Sequence, residues 1–167
     1  MIRFETSRLQ VRYLISDDLD AMFAVFSNPD VTKWMGDGSP LSRENCERWI
    51  TVSHNNYANR GFGALAVIEK STNAFIGVSG IVYDPERGEP EIIYAFDPGC
   101  WGKGYASELV PAMLAYGLDY CGLTYILATI APENLASRKI VEKAGMNLEG
   151  EETDTDGLGT LIYRIEK

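Results

Sequence analysis

Three short stretches hold the residues whose types and spacing can do chemistry. The first is GCWGKGYA (99–106), where Gly99, Gly102 and Gly104 follow the strand-like EIIYAFDP directly. Glycines let a backbone turn tightly and bring its N–H groups close to a ligand. Beyond them Ala106, Leu109, Val110, Met113, Leu114 and Leu118 recur at helical spacing. The start of that helix offers unpaired N–H groups and a positive dipole end. Together the two features can cradle a phosphate or pyrophosphate, with Lys103 adding charge. The spacing is neither GxGxxG nor GxxxxGK[ST], and a plain strand–helix turn fits it equally well. The second stretch is Asn134-x-x-Ser137, where Asn134 suits a helix N-cap and Ser137 a local backbone bond. The third is acidic. Glu91 opens a strand, with Glu89 just before it, and a partly buried carboxylate there has a raised pKa. Glu149, Glu151, Glu152, Asp154 and Asp156 form a further run that reads as a solvated face.

Other chemistries lose support. Cysteines stand at 46, 100 and 121, an odd and widely spaced set that points to a reducing compartment and a cytoplasmic protein. No histidine is paired with Cys100 in sequence, so covalent catalysis through it is not expected. The one histidine, His54, cannot build a metal site alone, and no compact ligand cluster appears, so no metal is expected. The chain has 15 Lys+Arg against 24 Asp+Glu, a net charge of −9. Such a balance disfavours nucleic acid and anionic membranes and suits a cationic small molecule or basic peptide. No apolar run approaches the ~18 residues that span a bilayer, and MIRFETSRLQ has no signal-peptide core.

The elements that must position these residues follow from periodicity. RLQVRYL (8–14) alternates, with Leu9, Val11 and Tyr13 on one side, and predicts the first strand. Ser16 or Asp17 can cap a helix near 17–27 that buries Leu19, Met22, Phe23 and Phe26 and ends at Asn28-Pro29. Residues 31–41 read as a loop. Ser42 caps a helix over 43–58 with Cys46, Trp49, Ile50 and Ser53 in one stripe. Strands at 62–70, 75–84 and 91–98 form an antiparallel meander. A helix begins near 104, loosened at Pro111, and LTYILATI (123–130) is a central strand parallel to its predecessor. A helix over 134–144 and late strands at 146–152 and 158–166 complete one α/β domain of 167 residues, about the size for a single core.

EIIYAFDP, WGKGYASE and NLASRKIVEKAGM, in that order and spacing, resemble the GNAT superfamily of N-acetyltransferases, and TSRLQVR and WGKGYASE resemble its RimJ/RimL-type branch. The resemblance covers nearly the whole chain. It implies a central mixed, twisted sheet flanked by helices, with strands splayed at the acyl-CoA site. The family's Q/R-x-x-G-x-G/A turn maps onto Trp101, Gly102, Lys103, Gly104, Tyr105 and Ala106, and would bind the pyrophosphate of acetyl-CoA through backbone amides; Trp101 departs from the usual Gln or Arg. Pantetheine would lie beside the strand ending at Tyr94, Ala95 and Phe96, with an N–H near Ala95 polarising the thioester carbonyl. Asn134 would bond pantetheine, and Ser137 would donate a proton to the departing thiolate. Relatives often carry a tyrosine acid seven residues after the asparagine; this chain has Val141, which cannot donate. Glu91 matches an acidic position of the branch and would deprotonate the acceptor amine, since alkylamines are mostly protonated at neutral pH. Trp34 would wall the acceptor pocket.

The resulting expectation is direct acetyl transfer from acetyl-CoA to a primary amine, either a protein N-terminus or a basic small molecule, with a homodimer as the candidate assembly. A catalytically silent acyl-CoA-binding protein of the same fold is the alternative; a nucleotide-binding module of another fold is the third reading. The first two predict CoA binding, but only the first predicts thiol release when an amine is present.

Overall fold

A computed structural model describes residues 1–84, 87–153, 157 and 159–167. The alternation in RLQVRYL becomes β2 (Leu9–Tyr13), with Leu9 and Val11 fully buried. Ahead of it lies β1 (Ile2–Glu5), which the sequence reading missed: IRFE is too short and exposed at its ends to show a buried face. The predicted 17–27 helix is shorter. Ser16–Asp18 is a 3-10 turn and α1 runs Leu19–Phe26, with neither Ser16 nor Asp17 at the N-cap. Asp18 is committed elsewhere: it accepts from the Ile15 N–H at 2.9 Å and takes both arms of the Arg12 guanidinium at 2.7 Å. That pairing holds the Arg12 guanidinium above its ordinary pKa.

Asn28-Pro29 starts an element as well as ending one. Asn28 accepts from the Asp30 N–H at 3.0 Å and Pro29 opens the short α2 (Pro29–Thr32), so the expected 31–41 loop begins two residues later. Ser42 caps α3 (Arg43–Arg60) as expected, and Gly61, at φ +81°, ends it. Leu14, Met22, Phe26, Cys46 and Ile50 then pack against Ala64, Ala66 and Ile68 of β3 (Ala64–Glu69) and Val78 of β4 (Ala74–Tyr83). Each fully buried aliphatic side chain there contributes about 1.5–3 kcal/mol.

After β5 (Pro90–Phe96) the chain enters α4 (Tyr105–Ala115), a π-helical turn at Tyr116–Tyr120, and β6 (Tyr125–Ile130). Pro111 lies inside α4, and the loosened turn falls five residues beyond it rather than at it. Gly117 in that turn is closely packed: a Cβ there would sit 2.1 Å from Ile81 Cδ1 and 2.7 Å from Ile126 Cδ1, so the position has no room for a larger side chain. α5 (Leu135–Lys143), β7 (Asn147–Thr153) and β8 (Gly159–Glu166) follow. Asp154 and Asp156 of the acidic run lie outside the described residues.

The strands form one mixed, twisted sheet in the order β1-β2-β3-β4-β5-β6-β8-β7. β1–β2, β2–β3, β3–β4, β6–β8 and β7–β8 are antiparallel. β5–β6 is parallel, which the helical crossover between them requires. Among the described residues its ladder is reduced to Glu91↔Leu127, the short junction expected of splayed strands. By compactness the chain divides into Met1–Gly80 with Ile93–Tyr105, and Ile81–Ile92 with Ala106–Lys167.

Candidate active site

In the first unit the glycine loop is shaped by its own polar bonds. Asp97 caps a 3-10 turn at Pro98–Cys100 by accepting from the Gly99 N–H at 2.7 Å. Trp101 is exposed, and its indole N–H donates to the Phe96 carbonyl at 2.9 Å, so the side chain fastens the loop to β5. Gly102 and Gly104 have φ of +73° and +79°, which L side chains rarely adopt. The Lys103 carbonyl accepts from Arg8 at 2.8 Å. Tyr105, the first residue of α4, is buried, and its hydroxyl donates to Glu69. Ala106, half-buried, continues the first turn. Alternating positive-φ glycines before a helix start are a backbone arrangement able to present N–H groups to an anion.

β5 leads into this loop. Phe96 is buried with its ring 6.5 Å from that of Tyr105, and Tyr94 and Ala95 are half-buried. Ala95 packs on the α1–α3 core, and its carbonyl lies where a Cβ on Gly77 would be, 2.2 Å away. Glycine at 77 therefore allows the close approach of β4 and β5. Trp34 is 43% exposed, beneath the Lys33 ammonium at 4.7 Å. Trp49 belongs to the core, tilted against Phe26. His54 donates to the Leu14 carbonyl at 2.7 Å, a structural bond. Burial and Asp97 push the Cys100 thiol above its ordinary pKa, which makes it a poor nucleophile.

In the second unit Glu91 is held by β6. Its Oε1 accepts from both the N–H of Thr129, at 3.2 Å, and the Thr129 hydroxyl. Oε2 takes neither bond. Burial raises the Glu91 carboxyl above the ordinary carboxylate range, against the pull of the two Thr129 bonds; Asp84 raises it further and Arg87 lowers it. Glu89 is engaged differently, accepting from the Tyr125 hydroxyl at 3.2 Å. Arg164 of β8 lies over the Tyr125 ring at 4.0 Å. Glu91 and Glu89 thus both meet the Tyr125–Thr129 face of β6, which strand alternation alone had left open. Arg87 pairs with Glu152, and Arg164 with Glu149 at 3.6 Å, while every residue of β7 is exposed.

Asn134 caps α5, accepting from the Ser137 N–H at 3.2 Å. Its side-chain oxygen has a second lone pair and its NH2 two donors beyond that cap. Ser137 is half-buried in the first turn of α5, and Val141 is fully buried in the core. Sequence reasoning missed Arg8, Glu69 and Thr129. A polar threonine inside the apolar YILATI was a visible signal; the reach of Arg8 across 95 positions was not. Among the described residues no group of three His, Cys, Asp or Glu could hold a metal, and no helix is long and apolar enough to cross a membrane.

The chain belongs to the acetyltransferase (GNAT) domain family, which it matches over residues 8–147. It is 34% identical over 150 residues, 87% of this chain and 82% of the other, to a protein described as an uncharacterized N-acetyltransferase, p20, of Bacillus licheniformis. The acetyltransferase (GNAT family) from Bacillus anthracis has a TM-score of 0.82 at 28% identity, over 99% of this chain and 98% of that one. The acetyltransferase from Agrobacterium tumefaciens str. C58 has a TM-score of 0.84 at 26% identity, over 98% and 94%. The protein is accordingly an N-acetyltransferase.

Proposed function

We propose that this protein is a single N-acetyltransferase domain that moves an acetyl group from acetyl-CoA to a primary amine by direct transfer in a ternary complex. The observation that carries the reading is the 101–106 loop, with two positive-φ glycines at a helix start. Its backbone N–H groups bind the pyrophosphate, and the Asn134 amide and the backbone of Tyr94–Phe96 hold pantetheine. Glu91 receives the proton of the acceptor ammonium on Oε2 while Thr129 occupies Oε1. Its raised pKa brings it nearer the working pH of a base. The neutral amine nitrogen bonds to the thioester carbonyl carbon and the C–S bond breaks; Ser137 gives its proton to the thiolate and is reprotonated by the second proton that the nitrogen sheds in becoming an amide. A backbone N–H near Ala95 stabilises the carbonyl oxygen as it gains charge.

The acceptor is an amine on a basic small molecule or a protein N-terminus, and Trp34 contributes to its pocket. The likeness of TSRLQVR and WGKGYASE to the RimJ/RimL-type branch supports membership of it, and three free cysteines support a reducing, cytoplasmic setting. The test is thiol release from acetyl-CoA against a panel of N-terminal peptides, polyamines and amino acids, alongside CoA calorimetry. Amine-dependent release supports the proposal. CoA affinity without release for any amine supports the silent alternative, and absence of CoA affinity overturns both.

A further inference from the structure

We propose that Arg8 is a positioning residue for the 101–106 loop, fixing which way the Lys103–Gly104 peptide faces and so aiming the Gly104 N–H at the donor's phosphates. The proposal rests on the reading of this loop as the pyrophosphate site. Arg8 lies in the turn between β1 and β2, and its Nη1 donates to the Lys103 carbonyl at 2.8 Å. In a trans peptide the C=O and the following N–H point in opposite directions. Tying the Lys103 carbonyl to Arg8 therefore turns the Gly104 N–H away from Arg8. The bond has something to decide, because glycine adopts either sign of φ at little cost, so this peptide can flip. Gly104 stands at φ +79°, the state that the Arg8 bond selects.

The guanidinium is itself held in place. It lies over the Tyr105 ring at 4.5 Å, and the Tyr105 hydroxyl donates to Glu69 at the end of β3. The backbone around Arg8 is tied as well. The Lys70 N–H donates to the Arg8 carbonyl at 2.9 Å, the Lys70 ammonium to the Thr6 carbonyl at 2.7 Å, and the Leu9 N–H to the Thr6 hydroxyl at 3.1 Å. Arg8 is exposed, so its side chain does not hold up the core. One polar bond and one ring contact of that side chain reach the loop and the first residue of α4.

The test compares acetyl-CoA with S-acetylpantetheine, a donor without pyrophosphate, in wild type and Arg8→Ala. In Arg8→Ala the KM for acetyl-CoA rises about tenfold with kcat little changed, and the KM for S-acetylpantetheine stays at the wild-type value. Tyr105→Phe keeps the ring under the guanidinium and cuts only the bond to Glu69; a rise of about two- to threefold in the acetyl-CoA KM is expected. A folded Arg8→Ala protein, judged by its thermal midpoint, that keeps the wild-type preference between donors overturns the role of Arg8. If Arg8→Ala does not fold, Arg8→Lys, which cannot match the planar stacking and fork of arginine, is read in the same way. A wild type that does not distinguish the two donors overturns the pyrophosphate assignment instead.

Discussion

Thr129→Val isolates what β6 does to the candidate base. Valine keeps the branched shape of threonine, so the strand keeps its local geometry, but it removes the hydroxyl that donates to Glu91 Oε1. The backbone N–H of the same residue, at 3.2 Å, stays. Burial is the largest influence on Glu91 and raises its pKa; the hydroxyl is the largest influence opposing it. A hydrogen bond to a charged group is worth about 1.5–3 kcal/mol, and one pKa unit is about 1.4 kcal/mol. With the N–H still in place and water taking part of the lost role, the expected rise is about one unit. The assay is kcat/KM against pH at saturating acetyl-CoA. The wild-type acid limb lies above the ordinary carboxylate range, and in Thr129→Val it moves about one unit further alkaline. Stability moves with it. A carboxyl whose folded pKa exceeds its unfolded value contributes stability that is present below the unfolded pKa and lost as pH rises through the folded pKa. In the variant that loss moves to higher pH. An acid limb that stays still, or moves toward lower pH, refutes the account of Glu91 as a base tuned by Thr129.

Three other outcomes are expected. Glu91→Gln lowers kcat/KM near neutral pH by about 10²–10⁴-fold, with partial recovery toward the pKa of the acceptor amine; a wild-type acid limb at wild-type amplitude removes Glu91 as base. Gly104→Ala forces an L side chain to φ +79° at a site where its Cβ meets nothing closer than Arg8 at 3.6 Å, so the cost is conformational. Acetyl-CoA affinity by calorimetry falls about tenfold, and an unchanged affinity in a folded variant counts against the phosphate loop. Gly77→Ala puts a Cβ 2.2 Å from the Ala95 carbonyl and 3.0 Å from the Phe96 Cα. Backbone must move there, for a loss of about 1–3 kcal/mol; a thermal midpoint equal to wild type would show that β5 yields freely.

Elements with strong periodicity were legible in the sequence. β2, α3 with its Ser42 cap, the β3–β4 pair and the parallel β6 all stand where alternation, helical spacing and the crossover placed them. The misses have local causes. β1 buries too little to show a pattern, and Asn28-Pro29 is both a stop and a start signal. The crowding of Gly117 by Ile81 and Ile126 in the turn after α4 exists only in three dimensions. The glycine loop was legible because positive φ demands glycine. Its bracing was not, because Arg8 and Glu69 reach it from distant segments. Glu91 was visible as a carboxylate, but its facing had to come from the bonds to Thr129.

On the proposed reading of the loop, backbone recognition accounts for the departure from the family pattern at Trp101. A loop that holds phosphate through main-chain N–H groups needs particular φ values more than particular side chains. Gly102 and Gly104 have positive φ, and Trp101 anchors the loop by an indole N–H on the Phe96 carbonyl. Position 141 follows the same logic. A valine buried in the core packs α5 and offers no proton, so any acid assistance has to come from elsewhere, and a thiolate leaving group needs little of it. The demanding proton is the one on the acceptor ammonium. In the proposed mechanism that burden falls on Glu91, the carboxyl whose pKa burial raises and which Thr129 holds.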